Sequence, residues 1–271
     1  MSTEKPLSPG GPHSFFTAAE DNWFYPTCHS RGPWHEEHCH AGPPTGLLAR
    51  ALEMQLPEKR LTRITVDLSR PIPFAGFYIE SQTLREGRIA GNTQAVLKDA
   101  DGKICATAAG LHMSTLPDQR FKSQEIKLDD HQLATPGPFP LNKALHNKRA
   151  FNGDGIQIKY PAGQNAEPGP TTLWMRCVPL LENETPSPFQ RICPLADCGN
   201  ALGRNAEPWE VNFINPDLTV LLHRDPVGEW LASYSTGHWQ ANGMGMADAL
   251  LFDNQGCVGR AIQTLLLRPV S

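Results

Sequence analysis

Two polar residues stand where the surrounding sequence is apolar. Asp197 interrupts the run Ile192-Cys193-Pro194-Leu195-Ala196 before Cys198, and Gln263 lies between Ala261-Ile262 and Leu265-Leu266-Leu267. A carboxyl group in such a setting loses hydration, so its charged form is costly unless paired and its pKa climbs toward working pH. That is the property a general base needs to take a proton from water at neutral pH. Each residue also has a plainer reading, as a buried polar group satisfied by its neighbours. Asn215, before Pro216, supplies a second amide but equally suits a turn, and Asp217 is a further acid at a strand start, where Asp commonly caps a turn.

Other groupings carry less. Cys28-His29 and His35-Glu36-Glu37-His38-Cys39-His40 concentrate potential metal ligands, but the second histidine follows at three positions rather than the four of HExxH, and no Cys-x-x-Cys accompanies it. Histidines at a solvated or pocket-rim position, with no metal, are the expectation. Asn242-Gly243-Met244-Gly245-Met246-Ala247 lacks the Lys-Ser/Thr of a phosphate-cradling loop and reads as a hairpin or bulge. No Gly-x-Ser-x-Gly elbow occurs, which argues against a Ser-His-Asp hydrolase. Arg60, Arg63, Arg85 and Arg88 are scattered and read as solvated surface.

The elements that must position these residues come from comparing the chain with itself. Thr65-Val66-x-Leu68-x-Arg70 recurs as Thr219-Val220-x-Leu222-x-Arg224, an offset of 154. Over positions 65–111 about a quarter of residues match at that offset, against roughly one in fifteen for unrelated chains of ordinary composition. Each copy opens with an apolar helical segment, 43–55 and 188–202, with Pro43 and Pro188 in the first turn where a missing N–H costs nothing. Four strands with period-two alternation follow in each copy, 62–72, 74–84, 91–100 and 103–113, then 217–224, 229–238, 243–253 and 257–268. Runs 155–160 and 172–180 add two strands to the second copy. A helix followed by an antiparallel meander, present twice, predicts two units, each a sheet wrapped round a central helix, that can bury a common face and join their sheets. The proline-rich stretch 134–140 marks a connector, giving an N-terminal repeat over 1–120, a connector over 121–150 and a C-terminal repeat over 151–271.

The chain has 271 residues, 39% hydrophobic and 19% charged, with net charge −4. A slightly acidic chain lacks the clustered positive field of a nucleic-acid binder. No stretch approaches a membrane-spanning length, and the opening MSTEKPLSPGG lacks the layout of a secretory signal. Seven scattered cysteines, an odd number, suit reduced thiols in a cytoplasmic protein, and exposed sheet edges suggest a homo-oligomer.

These residues together resemble the double-hotdog acyl-CoA thioesterases, over about residues 20 to 270. The resemblance is carried by His40-Ala41-Gly42-Pro43-Pro44, Ser187-Pro188-Phe189-Gln190-Arg191, Ala196-Asp197-Cys198-Gly199-Asn200, Asn215-Pro216-Asp217-Leu218-Thr219 and Val258-Gly259-Arg260-Ala261-Ile262-Gln263. It implies an α+β double hotdog and hydrolysis of an acyl-CoA in fatty acid metabolism, without cofactor, metal or covalent intermediate. Its water-holding trio matches Asp197, Asn215 and Gln263. Asn215 departs from the family's Ser or Thr, since an amide cannot act as the hydroxyl. At the 154 offset the first copy has Pro43, Leu61 and Ala109, none able to do this chemistry. The N–H groups of Gly42 and of Thr45 to Leu47 would serve the oxyanion, and His40 would line the mouth as a substrate-binding residue. The alternatives are a non-catalytic acyl-CoA-binding protein and an enoyl-CoA hydratase using His40 or His238.

Overall fold

The computed structural model describes residues 7–117, 121, 125–141, 146–153 and 155–270. Residues 1–6 of the opening segment, and 118–120, 122–124 and 142–145 around and within the expected connector, lie outside the described residues. Among the described residues, fourteen strands form one sheet. They are β1 (Phe16–Ala18), β2 (Trp23–Pro26), β3 (Arg60–Leu68), β4 (Phe77–Glu86), β5 (Ala90–Lys98), β6 (Ile104–Met113) and β7 (Thr135–Pro136), then β8 (Ile156–Tyr160), β9 (Thr171–Cys177), β10 (Val211–Ile214), β11 (Asp217–Leu222), β12 (Leu231–Trp239), β13 (Met244–Asp253) and β14 (Gly256–Pro269). Helices α1 (Gly42–Gln55), α2 (Pro188–Ala196) and α3 (Gly199–Leu202) pack against one face. The order is β1-β2-β4-β5-β6-β3-β11-β14-β13-β12-β9-β8-β7, with β10 also on β14.

The repeat is physically realised where the halves meet. β3 and β11 pair antiparallel with Thr65 opposite Thr219, Ile64 opposite Val220 and Val66 opposite Leu218, and the two threonine hydroxyls are 3.1 Å apart. The central pair is related by the offset of 154, and that offset exchanges the two flanking pairs, so a local two-fold axis passes between Thr65 and Thr219, as at the interface of a symmetric dimer. The offset does not hold to the end. Lys98 pairs with Ile104 whereas Phe252 pairs with Cys257, so the last hairpin of the first copy is one residue longer. Beyond it the copies match at 153, and Gln263 corresponds to Gly110 rather than Ala109, which is exposed. At the helices the proline starts align, and Leu52, nine residues after Pro43 as Asp197 is after Pro188, takes the place expected of Pro43. A Cβ on Gly110 would lie 2.5 Å from Thr93 Oγ1 and 3.2 Å from both Leu52 and Leu61, so the first-copy counterpart of the trio has two leucines and a glycine closely packed, with no acid or amide.

The helix expected over 188–202 is two helices. Ser187 caps α2 by accepting the Gln190 N–H at 3.1 Å. Pro194 lies inside α2, where it has no N–H for the carbonyl one turn back, and α2 ends two residues later. Asp197 becomes its C-cap, outside regular helix, before the short α3 begins. The two long helices are held reciprocally: Glu53 near the end of α1 accepts from Ser187 Oγ at 2.8 Å and Gln190 Nε2 at 2.7 Å at the start of α2. The end of α2 in turn meets the start of α1. There Gly42 is pressed so close that a Cβ would sit 2.9 Å from the Pro194 backbone and 3.2 Å from Asp197 Cβ.

The stretch expected to be a plain connector does more. Thr135–Pro136 pairs with β8 at the sheet's edge, and Phe139, Leu141 and Ala150 are buried, as is the adjoining Phe151.

Gly42→Ala forces a backbone displacement at Pro194 and is expected to destabilise the protein by about 1–3 kcal/mol, read as a lower urea midpoint at unchanged slope.

Candidate active site

Burial alternates along β14, so Ala261, Gln263, Leu265 and Leu267 point to the helices while Arg260, Ile262, Thr264 and Leu266 point outward. Gln263 is therefore an amide inserted in an apolar face. Asn215 lies in the bend between β10 and β11, whose other residues pair with β14 on either side of Gln263. Both meet Asp197. Its Oδ1 accepts from Asn215 Nδ2 at 2.9 Å and from Gln263 Nε2 at 3.0 Å.

A fourth residue, Asn200, locks the amides in place. Its backbone N–H, free because it lies in the first turn of α3, donates to Gln263 Oε1 at 2.9 Å, and its Nδ2 donates to Asn215 Oδ1 at 3.0 Å. These bonds leave the NH2 groups of both amides aimed at the carboxyl. Gly199 leaves the room required, since a Cβ there would be 2.9 Å from Gln263 Oε1.

The other carboxyl oxygen, Oδ2, lies 3.1 Å from His40 Nδ1, and the His40 ring stacks on Phe151 at 4.1 Å between centroids. The Gly42 N–H is shared between His40 Nδ1, at 3.1 Å, and the carboxylate. Burial pushes Asp197 up to about 7, against the pull of the Asn215, Gly42 and Gln263 donors. Burial also pushes His40 down to about 3, so its ring is neutral. Either proton placement is satisfied: a protonated Asp197 donates to Nδ1, and an ionised one accepts from the Nδ1–H tautomer and from Gly42.

A cavity of about 510 Å³ opens onto this cluster. Asp197, Asn200, Asn215 and His40 line it, and Gln263 stands behind them, 1% exposed. Gly42 and Thr45 do not line it, and the Thr45 N–H donates to Ala41 O inside α1. Asp217 is turned away, its carboxylate accepting from the Thr264 N–H at 2.6 Å. His238 is on the exposed part of β12 and is not at the cavity. The histidine-rich segment divides: the rings of His35 and His38 stack at the cavity wall, Cys39 Sγ donates to Pro73 O, and His40 joins Asp197. Arg60 is held by Asp225 at 2.6 Å, far along β3 from Arg70, which does line the cavity. Asn200 and the Phe139–Leu141 part of the wall were not singled out from sequence. An asparagine three residues after Asp197, on the same local turn, was the available signal for the first.

Comparison with known proteins decides the family. The acyl-CoA thioesterase N-terminal domain matches residues 30–113, and the acyl-CoA thioesterase C-terminal domain matches residues 129–267. The chain belongs to the acyl-CoA thioesterase family. It is a thioester hydrolase. Its C-terminal domain match begins within the stretch read from sequence as the connector. Solved structures share the fold at low sequence identity. A putative thioesterase from Novosphingobium aromaticivorans aligns at TM-score 0.72 and 15% identity, over 94% of this chain and 98% of its own. A putative thioesterase II from Thermobifida fusca aligns at 0.70 and 13%, over 97% and 100%. A hot dog fold protein of unknown function from Alicyclobacillus acidocaldarius aligns at 0.68 and 14%, over 93% and 95%. The thioesterase is thus a double hotdog. No curated protein matches the sequence. No helix among the described residues is long and apolar enough to cross a membrane, and the seven cysteines are free.

A carboxyl whose folded pKa is raised stabilises the fold fully below its unfolded value, and that contribution is lost as pH rises through about 7. Asp197→Asn removes the loss, keeps an acceptor for the two amides and offers an N–H to His40. We expect the thioesterase carrying it to be more stable than wild type at pH 8, by on the order of 1–3 kcal/mol, and equal to it near pH 4, in urea unfolding at both pH values.

Proposed function

We propose that the enzyme hydrolyses an acyl-CoA by direct attack of a water held in the cavity between Asp197 and Asn215, with Gln263 and Asn200 positioning them. The ionised Asp197 takes a proton as the water oxygen bonds to the thioester carbonyl carbon. The tetrahedral oxyanion then collapses, the C–S bond breaks, and the departing thiolate takes that proton from Asp197. The products are the free acid and the thiol of CoA, with no covalent intermediate. His40 holds the second oxygen of the carboxyl and keeps its lone pair turned in one direction, and its neutral ring adds no cation that would pull the acid's pKa back down.

The observation that carries this reading is a cavity-wall carboxyl raised to about 7 and held by two amides that cannot themselves take its proton. The amide of Asn215 replaces the family's hydroxyl as a donor to the carboxyl, a role that needs no acid–base chemistry. The contact of His40 with Asp197 favours one second reading, hydration of an enoyl-CoA, in which the pair would deliver water to a carbon–carbon double bond.

Thiol release from an acyl-CoA series tests the first reading, and loss of enoyl absorbance on crotonyl-CoA tests the second. Hydrolysis should fall by about 10²–10⁴-fold in Asp197→Asn, and kcat/KM should rise with pH to a plateau with a midpoint near 7, because the base form is the active one. Gln263→Ala should lower kcat with the midpoint displaced. Wild-type turnover that survives Asp197→Asn would remove the assignment.

A further inference from the structure

The cavity has a direction. Its exposed lining carries the polar His35, Ser69, Arg70 and Asn212 beside Trp34 and Ile214, while away from the Asp197 cluster its buried lining is apolar, with Ile72 3%, Phe139 5% and Leu141 6% exposed. An acyl-CoA is apolar at one end and a polyanion at the other, so one orientation alone buries the tail without burying phosphate charge. The tail goes to the buried apolar lining and the carrier to the exposed lining beside Arg70.

Two of these three apolar residues come from neither meander. Phe139 and Leu141 belong to the link between the repeats, and that link is fastened on both sides. Asn152 Nδ2 donates to Leu141 O at 2.6 Å, and Tyr160 Oη donates to Pro138 O at 2.7 Å. The Phe139 ring meets Phe151 edge-on at 6.0 Å, and Phe151 carries the His40 ring on its face. Further along, Arg31 Nη1 donates to Arg149 O at 2.8 Å and His146 Nε2 lies 2.9 Å from Gly32 O, tying the link to the loop that leads into His40. This part of the lining is a built wall, and it is coupled through ring contacts to the residue that touches the reactive acid.

We propose that the inter-repeat link, through Phe139 and Leu141, is the end stop for the acyl chain and sets the longest acyl group this thioesterase accepts. The proposal rests on the hydrolytic reading of the site. Buried side chains fixed across the apolar part of the cavity would limit tail length, whereas a tunnel open at its far end would not. Each methylene that fits or fails to fit such a wall changes kcat/KM by about tenfold or more.

The experiment is a chain-length profile of kcat/KM, from acetyl- to palmitoyl-CoA, for wild type, Phe139→Ala, Leu141→Ala and Leu141→Phe, with melting temperatures to confirm folding. The alanine variants should move the optimum to longer chains, raising the ratio of the longer substrate to the wild-type optimum by at least about tenfold. Leu141→Phe should move it to shorter ones. A merely structural role predicts uniform loss across the series, and that result, or an unmoved optimum in all three variants, overturns the proposal. Failure of the hydrolytic reading is seen separately, as wild type releasing no thiol from any member. In that event calorimetric binding of S-alkyl-CoA thioethers of the same lengths decides the end stop. Wild-type affinity should break off at one length and Phe139→Ala should extend it; identical profiles would refute it.

Discussion

A carboxyl group removed from water has to be held by something, and in this protein the holding groups determine much of what lies around them. Asp197 keeps two amide donors on one oxygen and an imidazole on the other, yet none of these partners carries a positive charge. A salt bridge to arginine would have driven the acid's pKa down and left a poor base. Neutral donors compensate part of the lost hydration and leave the proton affinity high. The cost is borne in stability as the group ionises, which is the usual tension between a reactive site and a relaxed fold.

That requirement explains several otherwise unrelated features. α2 stops at Ala196, so that residue 197 caps the helix instead of continuing it. Gly42 lets the first turn of α1 come close enough for its N–H to reach the pair, and Gly199 leaves space for the Gln263 amide. Asn200 consumes both amide carbonyls, so that their NH2 ends have a single useful direction. In the first copy the same three places hold Leu52, Leu61 and Gly110, which pack as core. The duplicated scaffold therefore has one reactive end, and at the other Glu53 serves to join the helices through Ser187 and Gln190.

The fold was largely legible because its signals are periodic. Alternation gave the strands, and the offset of 154 gave the duplication, while the meeting of Thr65 with Thr219 at the seam comes from the structure. What escaped was anything depending on a one-residue difference: the shorter second hairpin shifts the partner of Gln263 from Ala109 to Gly110, and an ungapped comparison cannot register it. The site was legible as to residue type, since a charge in an apolar run is costly wherever it ends up. Its arrangement was less so. His40 is 157 positions from Asp197 in the chain, and only the packing of α1 on α2 makes it a partner of the acid. Phe139 and Leu141 sit among prolines with no periodic pattern, so nothing local marks them as cavity wall.

The central claim is that Asp197 keeps its proton up to neutral pH inside the folded protein. Carbon-13 NMR of the aspartate carboxyl carbons, with the Asp197 resonance assigned by its absence in Asp197→Asn, reads this directly. The expected result is a titration with a midpoint near 7. A midpoint near the ordinary carboxylate value of 3.8 would contradict it.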